Sequence, residues 1–233
     1  MCAARRVVPS NLLLAALARP TYRRISRDLE TVRLDLNTLL AQPGELAPFV
    51  YFPADALISL IALTDDSGNL EVGLVGRDGM MGSWIALGAR NSPVRAVVQV
   101  AGNALRMRSS TFARELDDNT PLREAALRHA HLAMVTAMQI AACNARHRLG
   151  ARLARWLLMT AERLRTKRFA LTQDFVAQML GTRRATVNSA AGALQRKGLI
   201  NYSRGVIKIV DAEGLGVVAC SCHERIRALT ATS

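Results

Sequence analysis

The stretch from Leu171 to Val210 constrains this chain most. Thr172 is a helix cap ahead of the apolar positions Phe175, Val176, Met179 and Leu180. Gly181 follows, a residue free to take a left-handed turn. Thr182 is then expected to cap a second helix, from Arg183 to about Lys197, which Gly198 ends. The spacing Ala177, Gly181, Val187 is that of a helix-turn-helix. It supplies a small residue where the helices approach, a glycine in the turn and a β-branched residue to lock the second helix. Leu199–Tyr202, the turn Ser203-Arg204-Gly205 and Val206–Val210 read as strand, turn, strand, with Ile207 and Ile209 on one buried face. A helix-turn-helix followed by a hairpin is a winged helix.

At 100° per residue, Val187, Ala190, Ala191 and Leu194 form the inward arc of the second helix. Ala185, Ser189, Gly192 and Arg196 lie opposite, flanked by Thr186 and Asn188. Arg183 and Arg184 fall in the first turn, the part of a recognition helix that reaches base edges. Arg184 is the expected base reader, since an arginine can grip guanine with two hydrogen bonds. Thr172, Gln173, Thr182, Ser203 and Arg204 are candidates for phosphate contacts, which position without specifying. Charge agrees with this reading. Residues 151–233 hold 14 basic and 5 acidic side chains, a net +9 of the chain's +13.

Upstream, eight of the 15 glycines fall between Gly44 and Gly102. There the apolar residues come in short runs, Phe49–Phe52, Leu57–Leu63, Leu70–Val75 and Val94–Val100, read as strands, with a turn at Asp65–Asn69. Strands so spaced predict an all-β sandwich, barrel or jelly roll. No glycine lies between Gly102 and Gly150, and Thr120-Pro121 reads as the start of a helix of some 25 residues. Leu122, Ala125, His129, Leu132, Val135, Thr136 and Ala142 recur along it at helical spacing and are expected to pair with a second copy. A further helix begins near Gly150, with the stripe Leu153, Trp156, Leu157, Thr160, Ala161 and Leu164 decorated by Arg152, Arg155, Arg163 and Arg165. The predicted class is α+β: a β domain over 1–116, a long helix expected to dimerise over 117–147 and a winged helix over 148–233.

The segment Leu171-Thr172-Gln173-Asp174-Phe175-Val176-Ala177-Gln178-Met179-Leu180-Gly181-Thr182-Arg183-Arg184-Ala185-Thr186-Val187 resembles the DNA-binding helices of the Crp/Fnr family of bacterial transcription regulators. The likeness runs from about Leu29 to Cys220, and Ala154–Met159 recurs in one branch of the family. It implies a homodimer, a sensory β-roll of cyclic-nucleotide-binding-like type over 1–116 and a palindromic promoter site on double-stranded DNA, while the cysteine usage favours a reducing, cytoplasmic compartment. RNA polymerase and an unidentified small-molecule effector are further partners to consider. Gly82, Ser83 and Trp84 occupy the place of the phosphate cassette, and Arg95-Ala96 that of the phosphate-binding arginine and its small neighbour. The glutamate that holds the ribose in members binding cyclic AMP is replaced by Ser83-Trp84, so cyclic AMP is not the expected effector. Ala185 and Ser189 stand where the cyclic AMP receptor has an acidic residue and a second arginine, so a different operator is expected.

Other chemistries find less support. An iron–sulfur cluster needs several clustered cysteines, and the N-terminus offers only Cys2. Cys143 and His147 share a helix face and Cys220-Ser221-Cys222-His223 is compact, but neither has four-ligand spacing, so no metal is expected. His129 and His131 point to different faces. Gly73–Gly82 opens no helix, which disfavours a nucleotide loop, and no catalytic motif marks an enzyme. Arg5-Arg6 before Leu12–Ala18 mimics a secretion signal, but a packing helix is the better reading. No stretch is apolar enough to span a membrane. The competing reading is a ligand-binding or protein-interaction module with a basic tail, lacking specific DNA recognition.

Overall fold

The computed structural model describes residues 10–64 and 69–231. Cys2, Arg5-Arg6 and Asp65–Gly68 lie outside the described residues. Helices α1 (Leu12–Ala15) and α2 (Arg19–Ile25) come first. Leu14 is fully buried, so this stretch is a packing helix, pinned where Asn11 Nδ2 donates to the carbonyls of Pro53 and Gly79.

The strands β1 (Glu30–Leu34), β2 (Leu39–Ala41), β3 (Phe49–Pro53), β4 (Leu57–Leu63), β5 (Asn69–Val75), β6 (Arg95–Val100) and β7 (Gly102–Arg108) form two antiparallel sheets, with a short 3-10 helix at Ser83–Leu87. Their orders are β1-β7-β3 and β2-β6-β4-β5. Leu34, Tyr51, Ile58, Val75, Met81, Trp84 and Val98 fill the space between the sheets. Strand β3 shows no alternation because both of its faces are covered. Tyr51 turns into the roll, whereas Val50 and Phe52 join a second core with Leu14, Ile25, Met107 and Phe112.

Helix α3 (Ser109–Asp118) leads into α4 (Thr120–Arg146), 27 residues long. The cap is Asn119, one residue earlier than expected: its side-chain oxygen accepts from the Leu122 amide at 3.3 Å, leaving Thr120 and Pro121 inside the first turn. Helix α5 (Leu149–Leu164) follows after a two-residue corner at His147-Arg148. Strand β8 (Arg168–Ala170) precedes the helix pair α6 (Gln173–Met179) and α7 (Arg184–Arg196). Strands β9 (Ile200–Ser203) and β10 (Val206–Ile209) form the wing, in the sheet order β8-β10-β9. Helices α8 (Ala212–Val218) and α9 (Cys222–Ala231) complete the described chain.

Helix α5 is buried well beyond its expected stripe. Ala154, Leu158 and Met159 are enclosed together with Leu153, Trp156 and Leu157, and so are two of the arginines expected to decorate the surface, Arg155 and Arg163. The reason is that α5 sits between two domains. Leu57, Ile61 and Leu74 of the β-roll share one core with α5 and the winged helix. No helix among the described residues is long and apolar enough to cross a membrane.

Candidate nucleic-acid interface

The recognition segment is built by local rules. Thr172 Oγ1 accepts from the Phe175 amide at 3.2 Å and starts α6. Gly181 takes φ 57°, and a Cβ there would press on Leu70 of the β-roll. Thr182 is not the cap of α7. Its amide closes the turn onto the Ala177 carbonyl at 2.9 Å, and Arg183 occupies the cap position with no side-chain hydrogen bond. The first amides of α7 are therefore uncapped by side chains at the end where a phosphate would be favoured. Val187, Ala191 and Leu194 face the core. The wing turns through Arg204 and Gly205, both left-handed at φ 50° and 72°, which is the two-residue turn that matches strand twist.

The outer side gathers the predicted contacts. Arg183, Arg184, Ala185, Thr186, Asn188 and Ser189 are exposed along α7. Thr172, Ser203 and Arg204 are exposed beside it, and Gln173 and Thr182 are half-buried. Gln173 Nε2 donates to Asn188 Oδ1 at 3.0 Å, tying α6 to α7. Arg184 pairs with Asp174 at 3.3 Å, both side chains about two-thirds exposed (65% and 68%). Arg184 and Arg204 border one shallow depression with Thr172 and Tyr202. The Tyr202 hydroxyl donates to the Leu171 carbonyl at 2.8 Å and its amide donates to Gln195 Oε1 at 2.7 Å, tying the wing to the helix pair. Burial raises the Tyr202 pKa, keeping that hydroxyl protonated.

The expected effector set is only partly assembled. A cleft of about 450 Å³ lies between α4 and the β-roll, lined largely by apolar side chains such as Leu60, Val72, Trp84, Leu132 and Ala133. Ser83 and Trp84 line it, whereas Gly82, Arg95 and Ala96 do not. Gly82 takes φ 100° as the cap of the 3-10 helix, where a Cβ would strike Val50. Ala96 is buried inside the roll, so its neighbour Arg95 points to the other face, where its Nε donates to Gln42 Oε1 at 3.1 Å. Strand alternation thus corrects the expectation that Arg95 would bind a phosphate in the cleft.

Several expected dimer residues also face their own chain. Leu122 is fully buried in the core around Phe112. Ala125, His129, Leu132 and Thr136 line the cleft. The His129 ring is bonded to the Met80 backbone at 3.1 Å, in space that a Cβ on Gly79 would fill, and burial lowers its pKa. Val135 remains half-buried and Ala142 exposed. The open apolar stripe runs instead through Leu127, Met134 (50% exposed), Met138 (60% exposed) and Ala141, at intervals of seven, four and three. Periodicity identified the apolar positions, but it cannot tell burial against one's own β-roll from burial against a partner.

A buried polar network locks the winged helix onto the roll. The Trp156 indole donates to Glu71 Oε1 at 2.7 Å, and Ser59 Oγ donates to Glu71 Oε2 at 2.8 Å. Arg163 reaches Asp78 at 3.3 Å. Burial pushes the Glu71 carboxyl up to about 7, against the Ser59 and Trp156 hydrogen bonds and the charges of Arg155 and Arg163. Sequence reading missed this network; the signal was Glu71 itself, an acidic residue inside an apolar strand.

Residues 151–217 match the family model for the Crp-like helix-turn-helix domain. No curated protein sequence matches the chain significantly. Solved structures do. FixK2 from Bradyrhizobium japonicum superposes with TM-score 0.71 at 14% identity, covering 82% of this chain and 98% of its own. A CRP/FNR-family transcriptional regulator from Thermus thermophilus gives TM-score 0.66 at 24% identity, covering 82% and 98%. The c-di-GMP responsive global regulator CLP from Xanthomonas campestris gives TM-score 0.67 at 16% identity, covering 82% and 99%.

Proposed function

We propose that this chain, which has the Crp/Fnr fold and carries a Crp-like helix-turn-helix domain, is a cytoplasmic, sequence-specific transcription regulator that binds a palindromic operator as a homodimer. The observation that carries the reading is the outer face of α7. Arg183 and Arg184 open the helix, Asn188 and Ser189 continue it, and Arg204 of the wing stands on the same side. Arg184 reads a base edge; Arg183, Thr172 and Arg204 hold phosphates. The Leu127–Met134–Met138 stripe of α4 supplies the dimer contact. Two recognition helices then enter successive major grooves about 34 Å apart. RNA polymerase is the partner expected at such a promoter. The cleft is mostly apolar, and although Asp78, Arg128 and Arg163 also line it, Arg95 of β6 does not enter it and Ser83-Trp84 offer no carboxylate for a ribose, which favours a compact effector other than cyclic AMP.

Selection of sites from a random duplex pool tests this reading. The purified protein at near-physiological salt is expected to enrich an inverted repeat. Binding that falls steeply with salt and enriches no sequence would leave only the electrostatic term and favour the interaction-module alternative. For the dimer, Met138→Glu is expected to give monomers in sedimentation. An unchanged dimer would place the interface elsewhere.

A further inference from the structure

Two stretches of chain far apart in sequence meet at the corner between α4 and α5. Cys143 lies in the last turn of α4 and His147 is the residue that caps it, four positions on. Cys220 follows α8, and Cys222 opens α9. Four donor atoms, one from each of these residues, lie within 4.8 Å of one another. Cys143 Sγ is 3.3 Å from Cys220 Sγ, and Cys222 Sγ is 3.5 Å from His147 Nδ1. All three cysteines are buried and His147 is half-buried. We infer that Cys143, His147, Cys220 and Cys222 are the ligands of a single zinc ion, which fastens the last helix of the DNA-binding domain to the end of the long helix.

The donor set and its geometry both select zinc. Three thiolates and one imidazole are soft-to-borderline ligands that zinc takes up tetrahedrally in closed, structural sites. Sulfurs 2.3 Å from a tetrahedral ion stand about 3.8 Å apart, close to the spacings here. The atoms are too close together to enclose an iron–sulfur cluster. A Cys143–Cys220 disulfide would use two of the four groups and give no role to Cys222 or His147. An outer donor is also in place: Gln139 Nε2 points a hydrogen bond at Cys222 Sγ, 3.0 Å away.

Charge gives a second, independent argument. Arg155 is 2% exposed, enters no ion pair among the described residues, and its Nε has no hydrogen-bond partner. It lies near enough to act electrostatically on both Cys143 and Cys220. A zinc ion with three thiolates and a neutral imidazole carries one net negative charge, which compensates that buried guanidinium. The sequence reading expected no metal because these residues form two local pairs, Cys-x3-His and Cys-x-Cys, with some seventy residues between them. Neither pair is a motif alone, and only the return of the chain through α8 joins them.

The test uses the full chain, purified anaerobically without chelator or thiol reductant. Elemental analysis is expected to find one zinc per chain. After stripping, cobalt(II) titration should develop tetrahedral cobalt–thiolate absorption that saturates at one equivalent and that zinc displaces. Cys222→Ser and His147→Ala should each reduce retained zinc at least tenfold, with helical circular dichroism checking that they fold. Cys2→Ser should keep it, and Gln139→Ala should weaken affinity about tenfold. Wild-type protein that holds no metal and gives only octahedral cobalt absorption would overturn the inference, whatever the variants do. So would peptide mapping that finds a Cys143–Cys220 disulfide in the anaerobic protein. Neither result bears on DNA recognition, which the site selection tests separately.

Discussion

The winged helix domain carries arginines on two opposite sides, and they serve opposite ends. On the outer side Arg183, Arg184 and Arg204 are exposed, and the ion pair Arg184 makes is surface-screened. On the inner side Arg155 and Arg163 are buried, and Arg152 is half-buried, its guanidinium donating to Asn144 and to the Leu180 carbonyl. Burial lowers the Arg152 pKa, which marks the cost of placing that charge there. The sequence-level excess of +9 therefore overstates the charge offered to DNA. The outer arginines should govern binding and leave stability alone; the inner ones and their neighbours should do the reverse.

The largest effect that would break this contrast concerns Trp156. Its ring is fully buried and its N–H is one of two donors to Glu71. Trp156→Ala leaves a cavity and a carboxyl short of a partner, at a cost of about 3–5 kcal/mol in denaturant unfolding. A loss below about 1 kcal/mol would mean the interface between roll and winged helix contributes little.

Next in size is the pH response of Glu71. Its carboxyl is raised by burial to about 7 from the ordinary 4.5, so the folded protein holds this proton more tightly than the unfolded chain. The associated stabilisation is fully present below pH ~4.5 and is lost as pH rises through ~7, by up to about 3 kcal/mol. Unfolding free energy of wild type minus that of Glu71→Gln should fall across that window. A flat difference would mean that Glu71 is ionised at every pH in this range.

For the outer side, Arg184→Ala should change stability by less than about 0.5 kcal/mol. It should remove about 1–3 kcal/mol of discrimination at one base pair per half-site, read by competition with operator variants. Equal weakening on all sequences would instead make Arg184 a phosphate contact.

The same division explains what could be read in the sequence. The winged helix was legible because its signals are local: the Thr172 cap, Gly181 in the turn, the Ile207/Ile209 alternation and the Arg204-Gly205 turn each act within a few residues. The strands of the roll were legible from their glycine punctuation. What escaped depends on distant chain. The short strand β8 forms only because β10 offers it an edge. Arg155 and Arg163 look like surface charges until tertiary packing buries them, and Arg95 like a ligand until strand register turns it away from the roll's interior. The open apolar stripe of α4 differs from the expected one for the same reason: α4 has two apolar faces, and the roll takes the one containing Leu122 and His129.

The smallest and sharpest test lies in Asp174, the acidic side chain paired with Arg184. Its pair with Arg184 is long, at 3.3 Å, and both groups are mostly in solvent, so it contributes about 0.2–1 kcal/mol at most to stability. Asp174→Asn keeps the shape of α6 while removing a negative charge from the DNA face. If Asp174 only offsets charge, affinity should rise for all duplexes alike, more at low salt than at high salt. If instead it aims the Arg184 guanidinium, affinity for nonspecific DNA should rise while discrimination at the Arg184 base pair falls. Measuring operator and random duplex side by side at two salt concentrations separates these outcomes. Melting temperature should stay nearly constant in both, because this exposed pair contributes little to packing.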